Sequence, residues 1–167
     1  RRVALVCSGD SGIDGMASIV LELCDRGVEI EVIPGITAAT AGAAVLGAPL
    51  GHDHVAISLS DLMTSWAVIE RRLQAAAESD LVVSLYNPRS RGRTWQLDAA
   101  VRILLEHRPP ATPAGIVTDA GRNGQRRVLT TLGGLDVELV GMTSVVIIGS
   151  STTTVVNGRM VTPRGYR

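Results

Sequence analysis

Three stretches of this chain place hydroxyl, carboxylate or guanidinium groups beside glycine or proline, each directly after an apolar run. Ser8-Gly9-Asp10-Ser11-Gly12 is the first. Its glycines let backbone approach a ligand, and a helix start there offers unpaired N–H donors. Asp10 could accept hydrogen bonds from ribose hydroxyls or from an ammonium group; the plainer account is a helix N-cap. The pattern is neither G-x-G-x-x-G nor a P-loop, so it does not indicate phosphate. Pro34-Gly35-Ile36-Thr37-Ala38-Ala39 is the second. Pro-Gly makes a tight turn, and Thr37 is placed to cap a helix. Its small residues suit a cofactor pocket or close helix–sheet packing equally. Tyr86-Asn87-Pro88-Arg89-Ser90-Arg91-Gly92-Arg93 is the third. No acidic residue lies between Leu81 and Leu97 to offset Arg89, Arg91 and Arg93. Such a loop is either solvated or suited to a ligand carrying several carboxylates, which the planar guanidinium fork grips well.

Other reactive side chains are sparse. Cys7 and Cys24 are the only cysteines, too few for a disulfide framework and suited to a reducing cytoplasm. Cys7 has no histidine nearby in sequence to activate it, so a buried structural role is the expectation. His52 and His54 flank Asp53, but no further ligand cluster accompanies them, and no metal is expected.

Composition narrows the classes. Hydrophobic residues make up 46% and charged residues 19%, as in a globular protein. No apolar run approaches the roughly 20 residues of a membrane span, and no signal-peptide pattern opens the chain. Phe is absent, leaving Trp66, Trp95, Tyr86 and Tyr166 as the aromatics, which disfavours nucleic-acid binding by base stacking. The formal net charge is zero, yet residues 1–80 hold 11 acidic and 5 basic side chains, and residues 81–167 the reverse. Every basic side chain is Arg. That segregation reads either as an anionic ligand facing the second half or as solvated faces of opposite sign, with Arg favoured by a GC-rich genome.

Hydrophobic periodicity supplies the elements that must carry these loops. Strands are expected at residues 3–7, 28–33, 55–59, 81–85, 114–117, 127–131 and 145–148. Helices are expected at about 12–26, 37–46, 65–78 and 93–107. Alternation of this kind gives an α/β fold with mostly parallel sheets, residues 127–131 being an antiparallel edge. Five strand-like runs end in small or polar clusters, the last being SVVIIGSSTT. Ligands of open α/β sheets sit at the carboxyl ends of strands, so a polar small molecule is the expected ligand. The stretch at 47–54 interrupts all periodicity, which places a domain boundary at 52/53. Two strands and two helices before it are too few to close a doubly wound sheet, so the N-terminal domain is read as incomplete.

Taken in order, SGDSGIDGMA, VIPGITAAT, SLSDLMTSW, SLYNPRSRGRTWQL, PAGIVTDAGR, TSVVIIG and VTPRGY resemble the tetrapyrrole methylases of cobalamin biosynthesis. The likeness is greatest to the branch that methylates carbon 17 of precorrin-3B during contraction of the macrocycle. It implies two α/β domains, residues 1–52 and 53–167, with S-adenosyl-L-methionine folded in the cleft between them. By match to the family's motifs, Ser8, Gly9, Asp10 and Ile13 would line one side of the donor site. Thr37 and Ala38 would add hydrogen bonds, and Tyr86 and Ala120 would close it from the second domain. Asp61 and Trp66 belong to a stretch typical of this branch and receive no role. The family usually has Tyr where this chain has Asp14. The family's opening Gly-x-Gly-Pro-Gly loop is not in this sequence.

The expected function is therefore a methyltransferase acting on an anionic precorrin, in the cytoplasm and as a homodimer, with neither nucleic acid nor membrane as partner. Arg89, Arg91 and Arg93 are the electrostatic candidates for the substrate's acetate and propionate groups. Catalytic residues are left unassigned, although Asp10 and Asp61 are carboxylates that could serve the proton movements of ring contraction. Alternatives are a non-catalytic tetrapyrrole-binding or dimerisation module of the same fold, and a methylase for another corrin carbon.

Overall fold

The computed structural model describes residues 2–166. They fall into two compact units that divide between Ala38 and Ala39.

The second unit is built on a five-stranded sheet. Its strands are β2 (His54–Ser58), β3 (Val82–Tyr86), β4 (Pro113–Thr118), β5 (Arg126–Thr131) and β6 (Ser144–Ile148), arranged β2-β3-β6-β4-β5. Every residue of β3 and β6 is buried, and both read as near-continuous Val, Ile and Leu. That composition belongs to strands covered on both faces. On one face Val83, Leu85, Ile116, Val146 and Ile148 share a core with Ile69, Leu73, Leu97 and Leu104. These last four come from α3 (Trp66–Glu78) and α4 (Gln96–Leu105), whose apolar residues recur at helical spacing. On the other face Val82, Val117, Val145 and Ile147 pack with Ala43 and Leu46 of α2 (Ala38–Leu46) and with Met160.

The small residues of α2 serve this packing. A Cβ on Gly42 would lie 2.6 Å from Val145 Cγ1, so only hydrogen fits between helix and sheet there. Directly after the helix, β1 (Gly47–Ala48) pairs in parallel with β8 (Arg159–Val161), and β7 (Thr154–Val156) pairs antiparallel with β8. The unit's second sheet thus includes residues that precede position 52.

Strand directions differ in part from the sequence expectation. The five-stranded sheet is not mostly parallel: only β2 and β3 pair in parallel, while β5 is the expected antiparallel edge on β4. β6, however, runs antiparallel to both β3 and β4. The Gly-Ser-Ser-Thr-Thr end of SVVIIGSSTT therefore lies at the sheet edge opposite the carboxyl ends of β2, β3 and β4. Ser144, at the start of β6, lies on their edge. Hydrophobicity marks a buried strand but carries no information on its direction.

The first unit contains α1 (Ala17–Leu23), shorter than the helix expected at 12–26. The preceding residues turn instead, with Asp14 at φ 51° and the Ile13 N–H donating to Asp10 O. Residues 3–7 and 28–33, expected as strands, form none, and Val3 and Val6 are exposed. A strand needs a neighbour to accept its ladder hydrogen bonds, and among the described residues these runs have none. No helix among the described residues is long and apolar enough to cross a membrane.

Candidate functional site

In the first unit, Asp10 joins the two candidate loops. One carboxylate oxygen accepts the Gly12 N–H at 2.8 Å, and the other accepts the Gly35 N–H at 2.8 Å. The Ser11 hydroxyl adds a bond to Ile33 O at 3.1 Å. Ser8-Gly9-Asp10 and Pro34-Gly35 are thereby held side by side although 25 residues separate Asp10 from Gly35. Two positions require glycine. Gly9 has φ 83°, and a Cβ on Gly35 would fall on the Gly9 carbonyl oxygen. The Gly35 amide, then that of Gly12, holds the Asp10 carboxyl below its ordinary value of 3.8. Asp10 is therefore a fixed, ionised acceptor rather than a helix cap. Of the other expected donor-site residues, Ser8, Gly9, Ile13 and Ala38 are exposed and Thr37 is buried.

In the second unit, the carboxyl ends of β2, β3 and β4 share one sheet edge with the start of β6. Tyr86 closes β3 there, nearly buried, and its hydroxyl oxygen accepts the Ala39 N–H at 2.9 Å. It supplies the first turn of α2 with the acceptor a cap residue would provide. Ala120 lies two residues beyond β4 on the same edge, half-buried, after Asp119 at φ 52°. Thr118 and Ser144 hydroxyls meet at 2.8 Å in the buried edge. Ser144 was not recognisable as an edge residue, because the direction of its strand was not.

The three arginines separate into different roles. Arg89 donates to Val137 O at 2.6 Å and to Glu138 Oε1 at 2.8 Å, so its fork is already occupied. Arg93 is buried, with Nε on Asn87 O at 3.1 Å and Nη1 3.5 Å from Ser60 Oγ. Asn87 Nδ2 in turn donates to Ser58 Oγ at 3.0 Å, tying the loop to the end of β2. Only Arg91 of the three is exposed. Asp61 is held by Gln96, whose Nε2 donates to Oδ2 at 2.9 Å. Gln96 is buried and was missed by sequence reasoning, where it counted only as part of a helix.

The other side chains considered for chemistry do not cluster. Cys7 and Cys24 are free thiols, and His52 pairs with exposed Asp53 at 3.4 Å. Among the described residues no three His, Cys, Asp or Glu side chains gather as a metal site requires.

A profile of the Tetrapyrrole (Corrin/Porphyrin) Methylases matches residues 1–136. The chain is 54% identical over 169 residues to a protein of Salmonella typhimurium named "Probable cobalt-factor III C(17)-methyltransferase". That match covers 99% of this chain and 70% of the relative. Among solved structures, the methyltransferase CobJ superposes with a TM-score of 0.93 at 38% identity, covering 98% of this chain and 70% of that one. A uroporphyrin-III C-methyltransferase of Thermus thermophilus, solved with S-adenosylhomocysteine, is more distant. Its TM-score is 0.60 at 25% identity, over 84% of this chain and 62% of that one.

Proposed function

The chain belongs to the tetrapyrrole (corrin/porphyrin) methylases, and we propose that within them it methylates carbon 17 of a precorrin-3B-level macrocycle in cobalamin biosynthesis. The observation that carries this reading is likeness sustained across nearly the whole chain to a protein named for carbon 17. S-Adenosyl-L-methionine is the proposed donor, in line with the homologous structure solved with its demethylated product.

The donor set suits such a group. Gly9 and Gly35 bring bare backbone together, as close contact with a nucleoside requires, and ionised Asp10 is a ready acceptor for ribose hydroxyls. Ser8, Gly9, Asp10, Ile13, Thr37 and Ala38 are the proposed donor-binding residues of the first unit, and Tyr86 and Ala120 those of the second. When bound, the donor supplies a methyl group on a sulfonium. The protein's task is then orientation of the ring carbon against that methyl, an effect that supplies on the order of 7–11 kcal/mol in well-aligned reactions. Arg91 is the exposed guanidinium available to a substrate carboxylate, while Arg89 and Arg93 shape the loop that carries it.

The proposal extends to the cytoplasm, for which the free cysteines are supportive, to a homodimer, and to a family domain division at 52/53. Calorimetric titration with S-adenosylhomocysteine tests the reading. Micromolar binding, and transfer of a labelled methyl to a precorrin-3B or cobalt-factor III substrate, are expected. Absence of both in the purified protein would sink it.

A further inference from the structure

We propose that Leu62, Met63 and Trp95 form an apolar shelf on which one face of the tetrapyrrole rests, with Arg91 meeting its peripheral carboxylates. The inference rests on the tetrapyrrole reading above and assigns that reading a binding surface within the second unit.

The three apolar side chains are exposed: Leu62 by 82%, Met63 by 97% and Trp95 by 47%. They are not on a loose loop. The segment that carries Leu62 and Met63 is fastened at both ends to consecutive residues at the start of α4. At one end Asp61 accepts the Gln96 amide at 2.9 Å. At the other, the Trp66 ring meets Trp95 edge-on, with centroids 4.8 Å apart and planes at 67°. The segment that carries Leu62 and Met63 is thus tied down on both sides, at the buried Gln96 and at Trp95. Large apolar groups kept in water on a segment anchored on both sides mark a surface that is covered in use. The surface lies beyond the carboxyl ends of β2 and β3, where an open α/β sheet takes its ligand.

Charge selects the occupant. Arg91 sits at the tip of a turn closed by the Ser90 N–H on Arg93 O at 3.0 Å and the Arg93 N–H on Ser90 O at 3.3 Å. It is four residues from Trp95; residues 81–97 carry no acidic side chain, and Asp61, the carboxylate adjoining Leu62, is engaged by Gln96. A flat macrocycle with apolar faces and a carboxylate rim matches a shelf of Leu, Met and Trp edged by a guanidinium.

The test uses uroporphyrin, a stable polycarboxylated tetrapyrrole, titrated into the purified protein while tryptophan emission is followed. S-Adenosylhomocysteine is titrated separately. Saturable quenching is expected for the native protein. The L62S/M63S double variant, altered only at exposed positions, should bind uroporphyrin about tenfold more weakly or worse, with unchanged affinity for S-adenosylhomocysteine. R91A should weaken uroporphyrin binding and lessen its salt dependence. Undiminished uroporphyrin affinity in L62S/M63S would overturn the shelf while leaving the methylase reading intact. So would a change from dimer to monomer in that variant at unchanged affinity, which would make the surface a contact between copies. Failure of the native protein to bind any uroporphyrin would overturn the shelf and count against the substrate class itself.

Discussion

The Tyr86 hydroxyl accepts the Ala39 N–H at 2.9 Å across 47 residues of chain, fastening the first turn of α2 to the end of β3. An aromatic side chain expected to serve a ligand is thus also part of the fold's own bonding. Tyr86→Phe keeps the ring and leaves a buried N–H without this acceptor. Such a loss costs about 1–3 kcal/mol. Chemical denaturation should show a lower midpoint with an unchanged slope. A difference within experimental error would mean that water replaces the hydroxyl.

Asp10 binds two backbone amides through its carboxylate, and its folded-state pKa lies below 3.8. Ionisation therefore favours the folded form. The contribution is complete above the unfolded-state value of about 4 and is lost as pH falls through the lower, folded-state value. A carbon-13 titration of the Asp10 carboxyl should give an apparent pKa below the model-peptide value. In Asp10→Asn the NH2 group faces one of the two amides, so stability should fall at neutral pH. The difference from the native protein should shrink toward strongly acid pH.

Gly42 faces Val145 Cγ1, and a Cβ there would approach to 2.6 Å. Alanine is the better helix former by about 1 kcal/mol. Crowding a well-packed core typically costs about 1–3 kcal/mol, and Val145, β-branched and buried, has little room to turn. Gly42→Ala should therefore lower the melting temperature against the helix-propensity trend. A raised melting temperature would show that α2 can lift from the sheet at no cost.

Arg108 is buried, and its guanidinium donates to backbone carbonyl oxygens. It donates to Gly149 O at 2.7 Å, Ala76 O at 3.1 Å and Leu81 O at 2.5 Å. One guanidinium thus ties the end of α3 to the ends of two strands, and burial pushes its pKa down. Arg108→Met removes all three bonds at once and should destabilise the protein by about 3 kcal/mol. Arg108→Lys should recover part of this, because an ammonium cannot span the same three directions. Equal stability of the Met and native proteins in urea would remove this role.

Arg89 and Arg91 stand two residues apart yet differ in availability. Arg89 is held by Glu138, whereas Arg91 is exposed. Arg91→Ala should weaken binding of a polycarboxylated tetrapyrrole several-fold more than Arg89→Ala, and Glu138→Gln should have little effect on it. The reverse order in a binding titration would exchange the two roles.

Much of this was legible in the sequence because it depends on local pattern. The Val- and Ile-rich runs became β3, β4 and β6, the helical spacing of Leu97, Val101, Leu104 and Leu105 became α4, and Arg126–Thr131 became the antiparallel edge. Those features follow from which side chains must leave water, and each is encoded within a few neighbouring residues. The motif order across the whole chain identified the family for the same reason.

What the tertiary structure alone decided involves partners distant in sequence. The reversal of β6 removed the Gly-Ser-Ser-Thr-Thr cluster from the ligand edge and put Ser144 there instead. Glu138 engaged Arg89 and left Arg91 exposed, Gln96 took hold of Asp61, and Gly35 set the state of Asp10. Strand direction, hydrogen-bond pairing and the ionisation of a carboxylate depend on groups brought together by folding. A local pattern of apolar and polar residues does not specify which groups those are.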